Sequence, residues 1–195
     1  MANTSATGGF LLPTNTASAP LEGAALFDYL QAWIVGITGM AGTNVRPRWQ
    51  QEPGNLPITG IDWIAFGITQ RESQVFASEQ HFDDANGIYN EVRNHEVLSI
   101  LLSFYGQNAD NYASIMREGI SLAQNREYLS SQNMGVVDWG DAMATPELIK
   151  EQWLYRVDLV IRVRRQIVRD YAILDIASAQ VDINNELYTT VVTAQ

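Results

Sequence analysis

The sequence predicts an α+β fold: a mainly antiparallel sheet with helices on one face and a long projecting β-hairpin. Three observations lead to it. Apolar residues recur at every third or fourth position over 22–37, which is typical of one face of a helix. From residue 61 the apolar period changes to two, which is typical of strands. Asn86-Gly87 then predicts a tight hairpin turn, because both positions of a type I′ turn need positive φ.

The first predicted helix runs from Glu22 to Ile37. Its apolar face is formed by Leu26, Phe27, Leu30, Trp33, Ile34 and Ile37. Gly36 and Gly39 are expected to end the helix, because glycine readily adopts the left-handed conformation that follows a helix. A second helix is predicted at 110–123, with a short helical continuation at 125–129.

Two strands, at 61–68 and 73–82, precede the hairpin turn, and a returning strand is predicted from Ile88 to Phe104. The returning strand is polar on both faces near its start and apolar on both faces at 97–102. An apolar run on both faces is typical of a covered, central strand. The polar outer half has too little apolar surface to pack on its own domain. We therefore predict that the tip of the hairpin projects beyond the core.

The clearest alternating pattern runs from Trp153 to Arg164, after a short predicted strand at 134–139. One face of this long strand is apolar and the other is largely charged. Alternation of this kind turns one face toward the core and the other toward solvent or a partner. Trp153, Leu159 and Ile161 are therefore predicted to be buried.

The ends of the chain differ in composition from its middle. Residues 1–20 are mostly Ala, Thr, Ser, Asn, Gly and Pro, which predicts a flexible N-terminal arm. We assign 21–183 to a single α+β domain and 184–195 to a C-terminal tail. No apolar run reaches the roughly 20 residues of a membrane helix, so no membrane association is expected.

The charge balance bears on the partners. The chain has 12 basic and 22 acidic residues, a formal net charge of −10. Affinity for DNA comes largely from Lys and Arg that neutralise phosphates, so this composition argues against a nucleic-acid binder. The chain has no cysteine, which excludes disulfides and thiolate metal sites.

The sequence lacks the motifs of the common enzyme classes. It has no glycine-rich phosphate loop and no G-x-S-x-G elbow. Its two histidines are His81 and His95, and Ser99 stands four positions after His95, where a zinc helix needs the second imidazole. The turn at 83–87 lacks acidic calcium ligands at the first and twelfth loop positions. We therefore predict a non-enzyme with no catalytic residue, no metal and no cofactor.

Two groups of polar residues are candidates for contacts between subunits. Arg156, Arg162 and Arg164 lie on the charged face of the long strand, within the only dense basic cluster of the sequence. Two interpretations of this face stay open: a seam that meets acidic groups of a neighbour, or an ordinary solvated surface. The second group lies on the hairpin and consists of His81, Asp83, Asn86, Glu91 and Arg93.

Several blocks of the sequence, taken in order, resemble the neck terminator proteins of tailed phages. The first blocks are LFDYLQAWI with GITG at 26–39 and VRPRWQ at 45–50, with Pro53 in the loop that follows. The later blocks are DWIAFGI at 62–68, HE at 95–96, SFYG at 103–106, QNRE at 124–127, KEQW at 150–153, RVDL at 156–159 and RRQ at 164–166. Together they extend over most of the chain.

The resemblance implies a structural subunit of the virion neck. Such a subunit forms a ring, typically a hexamer, that ends the tail and joins it to the head–tail connector. The expected partners are copies of the chain, the tail tube protein, the connector protein and the tail sheath. DNA is expected to pass through the channel without specific binding, and no cofactor is implied. The expected location is the virion, after synthesis in the cytoplasm of the host bacterium.

Two other classes stay open at this stage. One is a different virion subunit, such as a connector, tube or sheath-associated protein. The other is a soluble enzyme or binding module. The mass in solution separates this last class from the others, because a stable monomer with a ligand pocket favours it.

Overall fold

A computed structural model of the chain describes residues 9–14, 20–50, 60–85, 87–149 and 152–173. The helices are α1 (Gly23–Thr38), α2 (Ala109–Ser121) and α3 (Ala123–Ser130). The strands are β1 (Val45–Pro47), β2 (Trp63–Ser73), β3 (Ser78–Asp84), β4 (Gly87–Tyr105), β5 (Met134–Trp139), β6 (Met143–Ala144), β7 (Glu147–Ile149), β8 (Gln152–Leu154) and β9 (Arg156–Ala172). The predicted α+β fold with a mostly antiparallel sheet is confirmed. Asn86, the predicted tail and most of the predicted arm lie outside the described residues.

Seven strands form the main sheet, in which β1, β2, β4, β9 and β5 lie side by side in that order. In addition, β3 pairs with β4 and β6 pairs with β9. β1 pairs with β2 in parallel, whereas β2 with β4 and β5 with β9 are antiparallel. Hydrogen bonds from Ser103 to Asp158 and from Arg165 to Glu96 show that β4 and β9 are antiparallel too. A separate two-stranded sheet joins β7 and β8.

The chain divides into two compact units. The larger unit comprises 19–77 and 93–167, and the smaller unit comprises 1–18, 78–92 and 168–195. Every residue of the buried apolar cluster belongs to the larger unit. This unit therefore has its own hydrophobic core, to which the three helices, β2, β4 and β9 all contribute.

Helix α1 forms where the apolar period predicts it. Leu26, Leu30 and Ile34 recur at a spacing of four and are fully buried. The helix ends at Gly39, which has a φ of 68° and donates its N–H to the carbonyl oxygen of Val35 at 2.9 Å. No helix among the described residues is long and apolar enough to cross a membrane.

The prediction of one long strand from Trp153 is wrong at its start. Leu159 and Ile161 are fully buried as predicted, but Trp153 is 73% exposed. The chain leaves extended pairing at Tyr155, so that β8 pairs with β7 and not with the main sheet. Trp153 therefore lies opposite Leu148 in the small sheet and does not reach the core.

The prediction of a strand at 73–82 is also wrong in its first half. β2 continues to Ser73, and a bulge between Ile68 and Gln70 shifts the register of its pairing with β4. The chain then bends at 74–77, and β3 begins only at Ser78. No Gly or Pro marks this bend, so its position could not be recognised from the sequence.

Candidate assembly surface

Arg156 and Arg162, two of the candidate arginines, have acidic partners within the chain. Arg156 donates from Nε and Nη2 to the two carboxylate oxygens of Asp158, at 2.8 and 2.6 Å, and also contacts Glu147 of β7. Arg162 donates to Asp138 of β5 at 3.0 Å and to Glu72 of β2 at 3.3 Å. Both arginines thus hold elements of their own subunit together.

Asp158 is buried, and its surroundings favour its charged form. Burial alone would raise the pKa of Asp158, but hydrogen bonds from Arg156 and Ser103 outweigh that effect and lower the pKa below its ordinary value. Ser103 in turn accepts a hydrogen bond from Arg48. A continuous polar chain therefore links the residues after β1 to β4 and β9.

Arg164 differs from its two neighbours on the charged face. Its side chain is exposed, and it has no acidic partner among the described residues. It lines an open cleft of about 440 Å³ together with His95, Asn133 and Gln166. Of the three candidate arginines, Arg164 is the one whose charge is available to a partner.

The hairpin residues form cross-strand pairs. Phe82 and Tyr89 stack with ring centroids 5.2 Å apart. His81 Nδ1 lies 3.0 Å from the amide oxygen of Asn90, and the Tyr89 hydroxyl donates to Asp84 at 3.2 Å. The pKa of Tyr89 is raised, first by desolvation and then by the hydrogen bond and charge of Asp84. These pairs fix the register of β3 on the start of β4.

The charged side chains of the hairpin segment 78–92 are mostly acidic. Asp83 and Arg93 are exposed and Glu91 is half-buried, whereas Asn86 lies outside the described residues. The segment 78–92 contains four carboxylates and no Lys or Arg. His81, Asp83 and Glu91 belong to the smaller unit, and Arg93 belongs to the larger unit with the three arginines.

Arg165 makes buried polar contacts that were not predicted from the sequence. Its side chain is only 1% exposed and it contacts Glu96, which is also buried. It further donates to the Leu21 carbonyl oxygen at 2.6 Å and to Glu22 at 2.5 Å. Its odd position in β9 places it on the same face as the buried Val157, Leu159, Ile161 and Val163. That parity was visible in the sequence.

Several large apolar side chains of the larger unit are exposed, among them those at three places. Val75 and Phe76 lie in the bend after β2, and Leu148 and Trp153 face each other in the small sheet. The third place is Trp49, which packs against the glycine at position 67 of β2. All three are candidates for burial in an assembly, because large exposed aromatic groups are enriched at interfaces.

Trp49 is held in an unusual conformation. Its φ is 58°, a left-handed backbone that is rare for a bulky residue. Its ring lies so close to Gly67 that a Cβ there would come within 2.6 Å of Cζ3. The outer part of the ring is free, since the residue is 68% exposed.

The described residues include no group of three or more His, Asp or Glu side chains arranged to hold a metal ion. No curated protein matches the chain. A family model described as phage neck terminator protein matches residues 24–186, which is most of the chain. Several of the sequence blocks that carry the resemblance meet in the polar contacts described above, as Arg48, Ser103 and Asp158 do. The chain therefore belongs to the phage neck terminator protein family, and its role is that of a structural protein in the phage virion.

Proposed function

We propose that the chain assembles into a closed ring, most simply of six copies, that ends the phage tail and joins it to the head–tail connector. The observation that carries this proposal is the family match over residues 24–186. The proposed partners are the tail tube protein, the connector protein and the tail sheath. DNA passes through the channel of the ring without specific binding, and no catalytic step is involved.

The distribution of charged contacts supports an assembly role for one part of the surface. Arg156 and Arg162 bind carboxylates of their own chain, so we assign them to the stability of the subunit. Arg164 is exposed and has no acidic partner among the described residues, whereas segment 78–92 contains four carboxylates and no Lys or Arg. Opposite charges on two surfaces steer association and fix its register. We therefore assign subunit contacts to Arg164 and to the hairpin, including His81, Asp83, Asn86, Glu91 and Arg93.

We also propose how the helices, the hairpin and the ends of the chain are arranged in the subunit. The helices cover one face of the sheet, and the tip of the hairpin projects toward a neighbouring subunit or another neck protein. Residues 21–183 form the assembling domain, with 1–20 as an arm and 184–195 as a tail. The support is the polar outer half of the hairpin, which offers little apolar surface for packing on its own domain.

Acidity suits a channel through which DNA moves. Each subunit carries a formal charge of −10, so a ring of six carries roughly −60. Carboxylates that face the channel repel phosphates and keep a moving duplex from sticking. Screening over about 8 Å limits this repulsion to groups near the DNA.

Native mass spectrometry at micromolar concentration tests the ring directly. We expect a single closed oligomer, either for the protein alone or after addition of the tail tube protein. A persistent monomer under both conditions contradicts the proposal. A phage that lacks the protein provides the functional test, in which we expect tails that do not join to heads. A ring-forming protein whose loss leaves tails joined to heads belongs to another part of the virion.

A further inference from the structure

The charged residues are unevenly divided between the two compact units. The smaller unit has 8 acidic residues and 1 basic residue, a net charge of −7. The larger unit has 14 acidic and 11 basic residues, a net charge of only −3. Within the smaller unit, the hairpin segment 78–92 contributes four carboxylates and no Lys or Arg. The hairpin therefore suits a partner surface that presents positive charge.

The hairpin is held in one conformation by contacts between its own strands. Phe82 stacks on Tyr89, and Nδ1 of His81 lies 3.0 Å from the amide oxygen of Asn90. Only two residues separate the end of β3 from the start of β4. Asp83, next to this turn, is exposed and has no hydrogen bond or ion pair among the described residues. An element that is ordered before it binds loses little conformational freedom on binding.

The larger unit presents a positive charge inside a concave surface. Arg164 lines the open cleft of about 440 Å³ and is opposite Gly135 in the pairing of β9 with β5. A Cβ built on Gly135, which also lines the cleft, would meet no atom within 4 Å, so the space beside Arg164 is open. His95, Asn133 and Gln166 line the same cleft with groups that can donate hydrogen bonds. A guanidinium with further donors around an open space is suited to bind a carboxylate.

A head-to-tail ring needs two different patches on each subunit that fit each other. We infer that the acidic hairpin of one copy enters the Arg164 cleft of the next copy, where Asp83 pairs with Arg164. The occupant of the cleft is thus a second copy of this chain, because each copy carries both the acidic element and the positive cleft. This assignment rests on the proposed ring and adds which surfaces join neighbouring subunits.

The chemistry of the pair favours such a contact. Neither Arg164 nor Asp83 gives up a partner among the described residues, so the contact replaces only their hydrogen bonds to water. The planar fork of an arginine binds a carboxylate through two parallel hydrogen bonds, which fix the direction of the contact. A contact with a fixed direction between two different patches repeats from copy to copy until the ring closes.

Reversal of the two charges tests the inference. Arg164→Glu and Asp83→Arg each place like charges on the two sides of the contact. We therefore expect the protein concentration needed for rings to rise at least about tenfold for either variant alone. An equal mixture of the two variants should recover rings, because each hairpin then faces a cleft of opposite charge. Native mass spectrometry should show these rings to contain both variants in equal number.

Arg126→Glu is the matched control for the change of charge. Arg126 is also exposed and has no acidic partner among the described residues, but it lies on α3 and does not line the cleft. We expect this variant to form rings as the natural protein does.

Filling the cleft tests the same contact without a change of charge. Gly135→Ile adds a side chain that the subunit itself can accommodate, and β-branched residues are favoured in strands. We expect this variant to fold and to form rings only at a concentration at least about tenfold higher, because the hairpin no longer fits. Gly140→Ile is the control, since position 140 follows β5 outside the cleft and a Cβ there makes only an ordinary contact with Val160.

The outcomes separate this assignment from the proposed function. Natural rings from Arg164→Glu or Gly135→Ile, or a mixture that does not recover rings, overturn the assignment and leave the proposed function intact. Intact rings that no longer bind added tail tube or connector protein assign the cleft to that protein and also overturn it. Absence of rings from the natural protein overturns both. Circular dichroism verifies the folding of every variant, which we expect to be unchanged because Arg164 and Asp83 are exposed.

Discussion

Arg165 donates from Nε to the carboxylate of Glu96, and both side chains are withdrawn from solvent, with 1% and 6% of their surface exposed. The same arginine binds the carbonyl oxygen of Leu21 and the carboxylate of Glu22. Helix α1 begins just after Glu22 and has no side-chain cap at that end. The buried arginine therefore ties the start of α1 to the centre of the main sheet.

Replacement of Arg165 by Met is expected to lower the free energy of unfolding by about 3–5 kcal/mol, because it leaves a buried carboxylate without its main partner. Arg71, at 3.5 Å from Glu96, can offset part of that loss. Urea unfolding followed by tryptophan fluorescence measures the change. The double variant Arg165→Met with Glu96→Leu should recover much of the stability, since two apolar groups replace the ion pair.

The neighbouring residue provides the matched control for this prediction. Arg164→Met removes the same charge from an exposed side chain, and we expect a change within about 0.5 kcal/mol. Equal stability of the Arg164 and Arg165 variants would mean that the buried pair does not hold the fold together.

These two adjacent arginines show how far the sequence predicts the structure. Alternation in β9 correctly identified Leu159 and Ile161 as core residues, because a period of two depends only on local geometry. The same alternation placed Arg165 on the core face, but its partners lie in distant parts of the chain. Pairing at such distances follows from the order of strands in the sheet, which periodicity does not reveal. The prediction that Trp153 is buried was wrong for a related reason, because its strand pairs with β7 and not with the main sheet.

Some of the sequence blocks that resemble the family contact each other in the folded subunit. The block at 95–96 supplies Glu96 and the block at 164–166 supplies Arg165, which meet in the buried pair. The blocks at 103–106 and 156–159 supply Ser103 and Asp158, which also meet. Blocks far apart in the sequence thus correspond to contacts that hold the subunit together.

The lowered pKa of Asp158 leads us to expect that the protein loses stability in acid. Its pKa in the folded protein is lowered below the ordinary 3.8, despite burial, by hydrogen bonds from Arg156 and Ser103. A lowered pKa stabilises the fold fully above the unfolded value, and this contribution is lost as the pH falls through the folded value. We therefore expect Asp158→Asn to be less stable than the natural protein at neutral pH, and to lose less further stability below about pH 4.

Thermal unfolding over a pH series measures this effect. Ser103→Ala provides an intermediate case, because it removes one of the hydrogen bonds that lower the pKa of Asp158. Its acid-induced loss of stability should be smaller than that of the natural protein and complete at a higher pH, because the folded pKa of Asp158 then lies closer to the unfolded value. Parallel pH curves for the natural protein and Asp158→Asn would show that this carboxylate makes no pH-dependent contribution.

Trp49 and Gly67 form a contact that leaves no room for a methyl group. A Cβ at position 67 would approach Cζ3 of Trp49 to 2.6 Å, so Gly67→Ala should displace the ring and lower stability by about 1–3 kcal/mol. In a Trp49→Ala background the obstacle is gone, and most of that penalty should disappear. A double-mutant cycle in urea measures the coupling. Additive effects would mean that the ring does not rest on Gly67 in solution.

The hairpin can be shortened to separate folding from assembly. Replacing residues 78–93 by a two-residue Asn-Gly turn removes β3 and the start of β4. All residues of the buried apolar cluster lie in 19–77 and 93–167 and none is removed, so the larger unit should keep its cooperative unfolding. We expect assembly to be lost, because the deletion removes four carboxylates that we assign to subunit contacts.

A matched control, with Glu79, Asp83, Asp84 and Glu91 replaced by the corresponding amides, keeps the length of the hairpin and removes only its charge. Native mass spectrometry and denaturant unfolding are measured on both variants. Rings from the shortened protein would show that the hairpin is a solvated loop, whereas rings from the amide variant alone would assign the contact to hairpin shape.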